Sequence, residues 1–272
     1  MDESHWGLNR SPFRRSSDAG FFFPSPTHEE ALARLDFLCE QRHSLGILSG
    51  CEGSGKSTVV AIFADQLRRF GRAACVMNLM GLDVRGFFWS LAAGLGANPP
   101  GDEDGLLLWR RIADRLDENY LQDIATVLFL DDSDGASHEV LIQVLRLLKT
   151  QQDRVTVILA VETSRLARLG GDLLQLSQLR IHLEPWDKND VREYLQRGLA
   201  RAGHDSAAFD ERAVVRLHEL SGGVPRFVSQ FAELALLAAT GHGQGNIDAD
   251  TVESVYHELS PTYHEPVSHA VV

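Results

Sequence analysis

This chain lacks most of what would mark a secreted, membrane-embedded or metal-stapled protein. It has three cysteines, Cys39, Cys51 and Cys75. They are odd in number and scattered, with no C-x-x-C pair, which argues against a disulfide frame or zinc site and fits a reducing compartment. No apolar run approaches the roughly 18–20 residues of a membrane span. The first residues, Met1-Asp2-Glu3-Ser4, are acidic and carry no signal-peptide core. These features predict a cytoplasmic protein. Positive charge is also scarce: 26 Lys and Arg stand against 38 Asp and Glu, a net −12. Such a balance gives no global attraction to DNA or anionic lipid. There is no internal repeat and no low-complexity tract.

What is present is a phosphate-binding pattern. Gly50-Cys51-Glu52-Gly53-Ser54-Gly55-Lys56-Ser57 reads G-x-x-x-x-G-K-[ST], with Thr58 next. The apolar stretch Leu45 to Leu48 precedes it as a strand. A helical spacing of Val59, Val60, Ile62, Phe63 and Leu67 follows it. A glycine-rich loop between a strand end and a helix start presents backbone N–H groups and a helix dipole to an anion. Lys56 reaches the β and γ phosphates, and the Ser57 hydroxyl ligates Mg²⁺. Cys51 fits either a thiol-reactive point near a helix N-terminus or a small filler residue.

A second element is Val127-Leu128-Phe129-Leu130-Asp131-Asp132, a Walker B form. Asp131 at the strand end holds Mg²⁺ through its water shell. P-loop hydrolases usually carry Glu at the next position, and Asp132 is one methylene shorter. A misplacement of about 1 Å costs roughly 100-fold in rate. Asp132 therefore fits a slow base or a nucleotide switch. Asp134 lies close enough in sequence to assist.

Further apolar runs at Ala73–Leu79, Val155–Val161 and Leu179–Leu183 alternate with helical patterns. Alternation of this kind predicts an α/β fold with a parallel sheet covered on both faces. After Pro185 no strand signal appears. Four helical segments near 188–202, 210–220, 225–240 and 248–258 predict an all-helical second unit. The expected division is an N-terminal arm and helix over 1–42 packed on the core, a P-loop domain over 43–185, a helical lid over 186–260 and a flexible tail over 261–272. The arm carries Trp6, Phe13, Phe21, Phe22 and Phe23, too aromatic for a disordered tail. Thr27 and Glu30 match a capping box.

The order P-loop, Walker B, fifth strand, helical lid resembles an AAA+ ATPase. Trp6-Gly7-Leu8, Pro12-Phe13 and Pro26-Thr27-His28-Glu29-Glu30-Ala31-Leu32 resemble the N-terminal signature of the ExeA/GspA-type secretion ATPases, whose relatives include transposition regulators. Ser221-Gly222-Gly223-Val224-Pro225-Arg226 is similar to that family's lid motif. The resemblance runs over residues 5–258 and covers the ATPase core. It implies ATP and Mg²⁺ as cofactors, ATP hydrolysis, a homo-oligomer and an unidentified protein client. It makes Arg226 the sensor 2 arginine. It puts sensor 1 at Glu162 and Thr163, where the family usually has Gly-Gln-Pro. A carboxylate there repels a γ-phosphate unless Mg²⁺ or an arginine offsets it. Arginine-finger candidates are Arg165, Arg168 and Arg180, with Arg180, just before the fifth strand, the best match. DNA is a possible partner that the net charge does not favour. An oligomer could still gather Arg14, Arg15, Arg68, Arg69 and Arg72 into one channel.

Lys56→Ala is expected to abolish Mg-ATP binding, because the main phosphate-neutralising charge is lost. Calorimetry in which variant and parent bind equally would overturn the P-loop reading.

Overall fold

A computed structural model of the chain describes residues 6–13, 22–204 and 207–259. Two compact units emerge: one is Pro26–Glu184, and the other joins Met1–Ser25 to Pro185–Val272. Arg14, Arg15, Phe21 and the expected tail at 261–272 lie outside the described residues.

In the first unit the apolar runs become β1 (Leu45–Gly50), β2 (Ala73–Asn78), β3 (Thr126–Asp131), β4 (Val155–Glu162) and β5 (Leu179–Leu183). They form one parallel sheet in the order β2-β3-β4-β1-β5. Central strands are buried on both faces and therefore read as continuous apolar runs. The edge strands β2 and β5 instead alternate buried with more exposed residues toward their ends.

The pleat divides each central strand between two layers. Val127 and Phe129 of β3 face α1 (Pro26–Glu40) and α2 (Lys56–Arg69), with Leu35, Leu38, Val60 and Phe63. Leu128 and Leu130 face the opposite layer of α3 (Val84–Gly94), α4 (Gly105–Leu121), α5 (His138–Thr150) and a short α6 (Gly171–Leu176). Asp83, Asp104 and Ser137 cap α3, α4 and α5 by accepting from first-turn N–H groups. The residues expected to box the start of α1 are used otherwise. The helix begins at Pro26, Thr27 Oγ1 accepts from Glu184 N at 3.2 Å, and Glu30 pairs with Arg34.

The second unit holds α7 (Lys188–Arg201), α8 (Glu211–Ser221), α9 (Pro225–Gly241) and α10 (Ala249–Leu259). Among the described residues of this unit, strand structure is reduced to a single parallel bridge, Phe209 with Ile247. Trp6, Leu8, Phe13 and Phe23 are buried in its core beside Trp186, Tyr194, Leu199 and Leu236. The arm thus groups with the helices, whereas the sequence division kept residues 1–42 together on the P-loop domain; the break falls at Ser25. Polar contacts pin the arm. Trp6 Nε1 donates to Thr240 Oγ1, Asn9 N to Ala202 O, and Ser229 Oγ to Phe13 O at 2.7 Å. Gly198 has the room Phe13 needs, since a Cβ there would stand 2.6 Å from its ring.

Ser221-Gly222-Gly223-Val224-Pro225 has a packing role inside this unit. Gly222 (φ 59°) ends α8 in the left-handed region, and Pro225 opens α9 at a favoured first position. Gly223 (φ 70°) leaves space for the Trp186 carbonyl, which a Cβ would approach to 2.1 Å, and its own carbonyl accepts from Trp186 N.

Phe13→Ala is expected to lower unfolding stability by about 3–5 kcal/mol through lost burial and a residual cavity. Urea unfolding will read this; a loss below about 0.5 kcal/mol, the size of a surface change, would take the arm out of the core.

Candidate nucleotide site

The loop from Gly50 to Lys56 joins β1 to α2. Gly53 (φ 82°) and Gly55 (φ 98°) hold left-handed backbone that a side chain would strain. Ser54 N donates to Cys51 O, closing a tight turn, and a Cβ on Gly50 would lie 2.5 Å from Ser54 Oγ. Ser54 is buried, and its Oγ has no partner among the described residues. Lys56 Nζ donates to Gly50 O at 3.0 Å and Cys51 O at 2.9 Å, so the loop curls around its own cation. Gly55 is the cap residue of α2 and supplies no side-chain acceptor, which leaves first-turn N–H groups available to a ligand. Glu52, Ser57 and Thr58 are exposed. Burial pushes the Cys51 thiol above its ordinary pKa although Lys56 opposes this, so it is not an activated thiolate.

The sheet brings the second element alongside. β4 lies between β1 and β3, with Glu162 in register with Gly50 and with Asn78 of β2 in register with Asp131. Two strand spacings put β1 and β3 about 10 Å apart across the sheet. Asp131 Oδ1 accepts from Asp132 N, and Asp132 itself has φ 49°, a region Asp tolerates. Asn78 Nδ2 donates to Asp132 Oδ2 at 2.6 Å, while Asn78 Oδ1 accepts from Met80 N. Asn78 thus binds the carboxylate expected to act on water.

Glu162 and Asp134 form a charged knot. Asp134 is buried and its Oδ1 accepts from Glu162 N at 3.2 Å. Arg165 Nε lies 3.2 Å from Glu162 Oε2, and Arg165 Nη1 lies 3.5 Å from Asp134 Oδ2. Ser164 Oγ donates to Glu162 Oε1. An arginine therefore offsets the carboxylate at the position expected to be sensor 1, and Arg165 is paired within its own chain. Thr163 Oγ1 lies 3.4 Å from His182 Nδ1, which also contacts Ser49 Oγ at 3.1 Å.

Arg180 is the second residue of β5, opposite Ile47, rather than the residue before the strand. It sits three residues short of Leu183, the partner of Gly50, which is about 10 Å along the strand. Its guanidinium donates to Leu174 O at 2.7 Å and Ser177 Oγ at 3.1 Å, capping α6. Arg168 is exposed and has no partner among the described residues. Arg226 is the second residue of α9, in the other unit. Sequence reasoning missed Asn78, Arg165's role as counter-ion and His182. Asn78 ends a strand aligned with Walker B, the one signal that could have found it.

Comparison with known proteins bears on the fold and the family. Residues 39–169 match the AAA domain family. The chain is 29% identical over 269 residues to General secretion pathway protein A of Aeromonas hydrophila, covering 96% of this chain and 49% of that protein. It thus spans about half the length of that curated relative. Among solved structures it is similar to the RuvB Holliday junction branch migration motor of Thermotoga maritima, at 19% identity and TM-score 0.62, covering 91% of this chain and 73% of the other. It is also similar to Cdc6p of Pyrobaculum aerophilum, at 17% identity and TM-score 0.67, covering 95% and 71%. Those two likenesses are of fold. The AAA+ fold and the resemblance to the ExeA/GspA-type ATPases are both borne out.

Arg165→Ala is expected to lower stability by about 1–3 kcal/mol, because two neighbouring carboxylates lose their shared donor. Adding Asp134→Asn should restore part of it. Additive losses in denaturant unfolding would break the link between these residues.

Proposed function

We propose that this chain binds Mg-ATP, hydrolyses it slowly, and acts as an oligomeric, nucleotide-dependent assembly or regulatory factor for a protein client. The observation that carries the slow chemistry is the Asn78–Asp132 hydrogen bond, 2.6 Å, on a carboxylate already one methylene short. A carboxylate engaged by an amide and set back along its side chain is a poor base for water.

The residues fit the group. Gly50, Cys51, Glu52, Gly53, Ser54 and Gly55 form the cradle, with left-handed backbone at Gly53 and Gly55. Lys56, Ser57 and Thr58 open the uncapped α2, and Lys56 Nζ already donates to two loop carbonyls, with which a polyphosphate would compete for that cation. Ser57 and Asp131 would hold Mg²⁺, which would supply charge neutralisation to the phosphates. Glu162, Thr163 and Arg226 act as sensors, with Glu162 neutralised by Arg165.

A cation from a neighbouring copy completes the site. Arg180 was the expected source, but its guanidinium caps α6. Exposed Arg168 is the freer alternative. The second reading is a nucleotide-gated scaffold with little hydrolysis, which the same Asn78–Asp132 bond favours. A DNA-associated regulator stands behind both, because the net charge is −12.

ATP turnover measured with and without DNA, beside native mass with and without ATP, separates these readings. Slow turnover that Asp132→Glu raises, a larger mass with ATP and indifference to DNA are expected. Mixing Arg168→Ala or Arg180→Ala with Lys56→Ala should restore activity only for the true finger. A wild-type monomer turning over many ATP per second would sink the proposal.

A further inference from the structure

His28 stands on the first turn of α1 and is 3% exposed. Its Nε2 lies 3.0 Å from the carbonyl oxygen of Ser54. A carbonyl only accepts, so Nε2 carries the proton and donates. In a trans peptide the C=O and the next N–H point in opposite directions. Holding Ser54 O toward α1 therefore turns the Gly55 N–H away from α1. The ring also fills the space beside Gly55, where a Cβ would come within 2.7 Å of Nε2. Any other residue at 55 would meet both this contact and the strain of φ 98°.

The post that carries the ring is itself fixed. Ala31, Leu35 and Leu38 of α1 are fully buried against the sheet. Thr27 Oγ1, one residue before His28, accepts from Glu184 N just past the end of β5. Burial holds the His28 pKa below its ordinary value, outweighing the raising effect of the Ser54 hydrogen bond. Burial thus favours the neutral ring, which still donates from Nε2.

We infer that His28 is a positioning residue for phosphate binding, fixing the Ser54–Gly55 peptide so that the Gly55 N–H is presented by the loop. This rests on the nucleotide-binding reading above. An unanchored peptide would sample both orientations, and binding would have to select one.

The test compares His28→Gln, whose amide N–H replaces the donor, with His28→Met, which keeps the volume and loses it. Calorimetry with Mg-ADP and the amide resonance of Gly55 in nucleotide-free protein are the readouts. His28→Met should bind about tenfold more weakly, the worth of one buried hydrogen bond. It should shift the Gly55 resonance, and His28→Gln should recover most of both. Equal affinity of the two variants and the parent overturns the inference while leaving nucleotide binding intact. A parent that binds no Mg-ADP overturns the underlying reading instead. Should His28→Met fail to fold, His28→Asn, whose shorter amide stops short of Ser54, takes its place under the same criteria.

Discussion

A loop that offers its backbone donors to a ligand must be held in shape by something other than those donors. That constraint organises the P-loop unit. Backbone N–H groups at the start of α2 have no side-chain cap, and Gly53 and Gly55 sit in left-handed conformations. The support comes from carbonyls. Gly50 O and Cys51 O bond to Lys56, Cys51 O accepts from Ser54 N, and Ser54 O bonds to His28. Each bond ties an oxygen, which leaves the opposed N–H groups facing elsewhere. Apolar packing beneath makes the scaffold stiff: Val59, Val60 and Phe63 of α2 are buried against Phe129 and Ile158 of the sheet.

The helical unit obeys a different constraint, close approach of backbone to backbone. Gly198, Gly203 and Gly223 each occupy positions where a Cβ would strike Phe13, Asn9 or the Trp186 carbonyl. Small residues there let the arm and the 186 segment lie flat on the helices. The Ser221–Pro225 segment therefore has a packing role inside its own unit.

How far the sequence could be read depends on the range of the interaction. The loop, the buried strands and the helices after Pro185 were legible because their signals are local: glycine spacing, apolar runs and 3.6-residue periodicity. The aromatic arm announced that it packs, but nothing local says on which partner, and it joins α7 and α9 rather than the sheet. The fifth strand was read correctly from its run Leu179–Leu183, and pairing with β1 begins at Leu179, so Arg180 belongs inside that strand and not just before it. Asn78, His182 and the Arg165 knot depend on register between strands far apart in sequence, which no single-chain periodicity encodes. α6, six residues long, is too short for a periodic signal.

The carboxylates show why register matters to chemistry. β4 lies between the strand that carries the phosphate loop and the strand that carries Asp131, and its last residue, Glu162, stands opposite Gly50 and bonds through its N–H to Asp134, just past the end of β3. A bare carboxylate there would oppose an anionic ligand. Here Arg165, three residues on, returns to it, and the same guanidinium reaches buried Asp134. The three groups carry one net negative charge, where the two acids alone would carry two. Asp132 is restrained differently, by a neutral amide that binds without cancelling charge. One acid thus shares a cation with its neighbour, and another is engaged by an amide. On the proposed reading that distinction separates the two roles: Glu162 is tolerated beside phosphate, and Asp132 faces water with one of its two oxygens, Oδ2, held by Asn78.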